Sequence, residues 1–140
     1  MTPGDPEPAS GHPWTAGLRA LIGSVLANLV VWAGGNLLFD IPEAFEPLAG
    51  PGPTIFLTVV GTIGAVLAFV VVRRVATRPV PVFRMVAAGA LLVSFIPDVL
   101  LLTEQGAANF PGATVAGVGL LILMHVVAAA IIVRCLEGAR

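Results

Sequence analysis

Residues 54–102 read TIFLTVVGTIGAVLAFVVV, then RRVATRPVPVFR, then MVAAGALLVSFIPDVLLL: two apolar runs, 54–72 and 85–102, around a link carrying Arg73, Arg74, Arg78 and Arg84. Each run approaches the roughly 20 residues that carry a helix across about 30 Å of hydrocarbon. Neither shows the strict alternation of a membrane strand, so both read as transmembrane helices. One acid, Asp98, lies inside the second of them.

Working outward, two further apolar runs flank this pair, at about 17–39 and 113–133. The composition agrees: 57% of residues are hydrophobic and 11% charged, with no tyrosine and no lysine. A soluble chain of this length could not hide so much apolar surface, so lipid is the expected solvent. Nucleic acid is excluded as a partner, since no basic face with interleaved aromatics exists. The expected fold is all-α, a four-transmembrane-helix bundle with short loops, forming a single domain over 17–136. Residues 1–16 (MTPGDPEPASGHPWTA) are rich in proline, glycine and acid and read as a disordered tail. With no basic start, that tail does not read as a signal peptide.

The connections set the expected orientation. All seven basic residues are arginines, and all fall in the link 73–84 or at the outer ends as Arg19, Arg134 and Arg140. The segment between the first two runs carries Asp40, Glu43 and Glu46, and the segment between the last two carries Glu104. The positive-inside rule then puts both termini and the second loop in the cytoplasm, as expected of a multi-pass protein of a bacterial plasma membrane. The first loop reads either as a turn or two of interfacial helix, with Ile41, Phe45 and Leu48 toward the headgroups, or as an irregular loop held by its prolines. Cys135, the single cysteine, has no disulfide partner and sits where palmitoylation occurs in some membrane proteins.

Polar residues within the runs carry whatever chemistry the bundle has. In the first run Ser24, Asn28, Trp32 and Asn36 recur every four residues and share a slowly turning helical face. The third carries Ser94 and Asp98 one turn apart, with Pro97 removing a backbone hydrogen bond and favouring a kink beside the acid. The fourth carries His125. The second offers Thr58, Gly61, Thr62, Gly64, Ala65 and Ala68, and reads as a packing element whose small residues admit close backbone approach. Helical rise puts Asn36 roughly 5 Å and Asp98 about 7 Å below the outer end, against about 16 Å for Asn28 and 18 Å for His125. Two separate levels are therefore expected, Asp98 beside Asn36 and His125 beside Asn28, rather than a direct Asp98–His125 bond.

Each group has a plain reading beside its functional one. Ser24, Asn28 and Ser94 serve as interhelical glue in most bundles, while Trp32 and Asn36 mark an interface. Asp98 stands apart, since burying an acid within the membrane costs about 2.5–3.5 kcal/mol at helix centre on the mildest scale. No metal or cofactor is expected, because zinc wants three or four ligands and the runs supply only Asp98 and His125. No phosphate loop, hydrolytic triad or HExxH pattern is present, so the chain does not read as an enzyme.

The four-run layout, the basic second loop, SFIPDVLLL late in the third run and LMHVVAAAIIVR in the fourth resemble the domain-of-unknown-function 6069 family of small bacterial, mostly actinobacterial, integral membrane proteins. The likeness covers roughly 17–136, with the histidine of the fourth run its most distinctive mark. It implies a four-helix membrane fold and brings no activity, cofactor or site residue. Two functions remain open. One is a structural or accessory membrane subunit that self-associates or joins a larger membrane complex. The other is a small proton-linked transporter or channel using Asp98 and His125.

Overall fold

The computed structural model describes residues 13–139. The expected tail at 1–12 lies outside the described residues, and Pro13–Ala16 already belong to the first helix. The order is α1 (Pro13–Leu38), a single 3-10 turn (Glu46–Leu48), α2 (Pro51–Val75), α3 (Pro79–Leu100), a short α4 (Glu104–Asn109) and α5 (Val115–Glu137). The four long helices are each long and apolar enough to cross a membrane, which makes this an all-helical, multi-pass bundle.

Helices α2 and α3 start several residues before their apolar runs. Each carries proline at its first positions, where the missing N–H has no intrahelical partner to lose. The arginine-bearing link therefore shrinks to residues 76–78, with Arg73 and Arg74 in the last turn of α2 and Arg84 within α3. At the start of α5, Thr114 caps the helix by accepting from Gly117 N–H at 3.0 Å.

The long helices run up and down, each antiparallel to its neighbours. Ser24 meets Thr62 and Asn28 meets Thr58 between α1 and α2, Phe69 meets Phe83 between α2 and α3, and Arg84 meets Glu137 between α3 and α5. Glycines let α1 lie close: a Cβ at Gly17 would stand 3.2 Å from Val66, and one at Gly23 3.2 Å from Ile131. Gly61 and Gly64 of α2, expected to serve that purpose, face open space with nothing within 4 Å of a built Cβ. The close seams are made by α1, which meets Thr58 and Thr62 of α2 and the facing side of α5, while the two glycines of α2 point elsewhere.

Two apolar clusters hold the ends. At one end Ala20, Val66, Phe69, Phe83, Ile132 and Leu136 pack together, with the Phe69 and Phe83 rings edge to face at 4.9 Å. At the other, Phe45 and Leu48 of the first loop, 0% and 1% exposed, pack on Leu120, Leu121 and Met124 of α5. This corrects the interfacial reading of that loop: Phe45 and Leu48 turn into the bundle, while Ile41 is half-buried against them. The reason lies in the register between α3 and α5. Because α3 ends level with the middle of α5, the first two turns of α5 extend beyond it, and the first loop folds over the apolar surface left uncovered.

Candidate functional site

Helix α3 is held mainly at its two ends. Only Phe83, in its second turn, and Asp98, in its last, are buried. Between them Ala87, Ala90, Leu91 and Ser94 face a half-open cavity of about 560 Å³, closed by α2 and α5 and reached by Asn28 of α1. Small side chains on three sides, such as Gly61, Ala65 and Ala128, create the space. Its volume falls within the roughly 300–1,000 Å³ of small-molecule sites.

At one end of the cavity Oδ2 of Asp98 lies 3.1 Å from Nδ1 of His125. This overturns the expectation of two separate levels. That expectation measured both depths from the ends of their own runs, as if the outer ends of α3 and α5 were flush. Residues 101–114, with α4 among them, instead let α3 stop about eight residues, roughly 12 Å, along α5. Asn36 does not join Asp98 either: it is exposed and donates to Trp32 O at 2.8 Å.

The same Nδ1 lies 2.9 Å from the carbonyl of Leu121. A single N–H cannot align with two oxygens in different directions, and the carboxylate atom is the one left without a hydrogen bond of proper geometry. Contact with the imidazole is thus an electrostatic approach rather than a well-formed bond. Asp98 is 7% exposed, so its unsatisfied oxygen is a buried liability. The His125 side chain keeps 41% of its surface accessible, and both residues line the cavity.

A polar ladder continues the site across α1 and α2. Thr58 donates its hydroxyl hydrogen to Thr54 O at 2.7 Å, as Thr62 does to Thr58 O. Thr58 must therefore accept from Asn28, whose Nδ2 stands 3.0 Å away. That choice fixes the amide orientation and leaves Asn28 Oδ1 without a partner, buried with only 4% of the residue exposed. Ser24 donates to Ala20 O at 2.7 Å and lies 3.2 Å from Thr62 Oγ1. Thr54 Oγ1 is a third orphaned buried atom.

Of the residues singled out in the sequence, Asp98, His125, Asn28 and Ser94 line one cavity, as does Pro97, through which α3 continues helical to Leu100. Ser94 spends its hydroxyl on Leu91 O at 2.7 Å and bridges nothing. Trp32 is structural: its indole N–H donates to Leu48 O at 3.0 Å and ties the first loop to α1. From sequence Thr58 and Thr62 of α2 read only as packing residues. Their spacing of four residues, matching Ser24 and Asn28 on α1, is the signal that would have revealed the ladder. No group of three metal-binding side chains exists among the described residues.

The sequence model described as "Family of unknown function (DUF6069)" matches residues 8–140. No curated protein and no solved structure matches the chain.

Proposed function

The chain belongs to the DUF6069 family, whose description assigns no activity, so function must be read from the geometry, and we propose a small, non-enzymatic, proton-linked transporter or channel. In this reading Asp98 and His125 form the proton-carrying pair. The observation that carries it is a 7%-exposed carboxylate set 3.1 Å from an accessible imidazole on the wall of a cavity at membrane depth. Such a carboxylate is costly in lipid, and a histidine beside it gives the proton two neighbouring sites. In this reading the arginine-rich side faces the cytoplasm, with the start of α1, residues 76–78 and the end of α5 on the cytoplasmic side of a bacterial plasma membrane.

Proteoliposomes loaded with a pH-sensitive dye, under an imposed potassium diffusion potential, test this. The intact protein should acidify or alkalinise the lumen faster than empty vesicles, and Asp98→Asn or His125→Ala should abolish the difference while circular dichroism stays unchanged. Equal rates for the intact protein and empty vesicles would overturn the reading.

One observation favours the accessory reading instead. Gly64 and Gly89, outside the cavity lining, present open space beside α2 and α3. Such small-residue surface suits a helix of a second copy or a larger complex. Cross-linking in native membranes separates the two, because an accessory subunit would be captured in a stoichiometric assembly and show no proton flux of its own.

A further inference from the structure

Three buried polar atoms lack hydrogen-bond partners: Asn28 Oδ1, Thr54 Oγ1 and Asp98 Oδ2. All three belong to residues lining the one cavity beneath α3. The interhelical pairs Asn28–Thr58, Ser24–Thr62, Asp98–His125 and Arg84–Glu137, with Gly23 against Ile131, fix the registers of α1, α2, α3 and α5. On those registers the three orphaned atoms fall within about one helical turn of one another along the bundle axis. The residues that carry them collect at one end of the cavity, whereas the opposite end is apolar, walled by residues such as Phe83, Ile132 and Val133.

Chemically, the polar end is a set of acceptors. The amide oxygen and the carboxylate oxygen can only accept while Asp98 is ionised, and the threonine hydroxyl accepts as readily as it donates. What satisfies such a set is a group rich in N–H or O–H that carries no negative charge. The shape sets the rest of the ligand. From Asp98 to Phe83 the cavity runs along fifteen residues of α3, roughly 22 Å by helical rise, at a volume of only about 560 Å³. A long, thin apolar body fits, while a two-chained phospholipid, with an anionic phosphate that has no donor to meet, does not.

We infer that this cavity holds a single-chain amphiphile with a hydrogen-bond-donating head, an amine or an alcohol, the head seated among Asn28, Thr54 and Asp98 and the chain lying toward Phe83. The inference rests on the same cavity as the proposed function but needs no proton movement, so binding and flux succeed or fail separately. An ammonium head offers three donors and a charge opposite to Asp98; a hydroxyl offers one donor and no charge.

The test is equilibrium binding to the full chain in lipid nanodiscs, by calorimetry and thermal shift, at one pH and with no gradient. The probes share one chain: dodecylamine, 1-dodecanol, dodecane and laurate. Saturable binding of the amine and the alcohol is expected, with the amine about tenfold or more tighter than dodecane, as a charge-assisted hydrogen bond supplies, and laurate weakest. Ala87→Phe, which fills the cavity away from its polar end, should remove the saturable component. Asp98→Asn should erase the preference of amine over alcohol. Equal binding of dodecane and dodecylamine would overturn head recognition, and no saturable binding of any probe by the intact protein would overturn the site. Saturable binding that survives Ala87→Phe would put the ligand elsewhere and refute the inference equally.

Discussion

Adjacent glycines in α1 should respond oppositely to the same substitution. Gly34 and Gly35 are neighbours in one helix, and alanine at either position gains about 1 kcal/mol of helix propensity. At Gly34 nothing lies within 4 Å of the new Cβ, so the gain stands nearly alone. At Gly35 the Cβ would fall onto Leu120, 2.6 Å from Cδ1 and 3.0 Å from Cγ, where ordinary contact begins at 3.4 Å. Leu120 is 5% exposed and packs with Phe45, Leu48 and Met124, so it has no free direction of retreat. Overpacking of this kind costs about 1–3 kcal/mol, which outweighs the propensity gain. The expected result is stabilisation by up to about 1 kcal/mol for Gly34→Ala and net destabilisation by up to about 2 kcal/mol for Gly35→Ala. Reversible unfolding in mixed micelles, followed by circular dichroism, measures both. The reasoning is refuted if Gly35→Ala is as stable as Gly34→Ala.

Other substitutions probe the remaining contacts. Thr58→Val strips Asn28 Nδ2 of its acceptor, and by the same unfolding assay should cost about 1 kcal/mol, whereas exposed Thr77→Val should change nothing. Phe83→Ala empties the ring contact that anchors the start of α3 and should cost about 3–5 kcal/mol, with faster hydrogen exchange along α3. Arg84→Gln removes a bidentate pair with Glu137, at 2.5 and 2.7 Å, whose acidic side chain is only 16% exposed, and by the same unfolding assay should cause a small loss of stability. For orientation, single cysteines at Thr77 and Gln105 in a Cys135→Ser background should divide in intact cells. An impermeant maleimide should label Gln105→Cys and spare Thr77→Cys, and the reverse pattern would invert the proposed topology.

How much of the site was legible depended on whether its residues share a helix or face each other across helices. The four-residue spacing of Ser24, Asn28, Trp32 and Asn36 was readable, and the first two do meet α2. Their partners Thr58 and Thr62 stand on another helix, where only the α1–α2 register shows that hydroxyl meets amide. Asn36 follows the same spacing yet ends exposed, because the helix turns a little with each step and carries it off the packed face. Depth misled for a related reason. Counting from run ends gave Asp98 and His125 different levels, and only the stagger of α3 against α5 brings them to 3.1 Å.

Sequence by itself determined four helices long and apolar enough to cross a membrane, since the hydrophobic length needed to span lipid is a one-dimensional property of the chain. It also singled out Asp98, because an acid inside an apolar run is visible in the run itself, whatever partner the fold later gives it. Tertiary structure alone decided which glycines admit a neighbour and which face open space, and that Phe45 and Leu48 turn inward. It alone joined Asp98 to His125 beside a cavity. Inside lipid every helix surface is about equally comfortable with its solvent, so apolarity cannot say which faces pack. That choice falls to shape and to pairing of the few polar groups, and both exist only between helices.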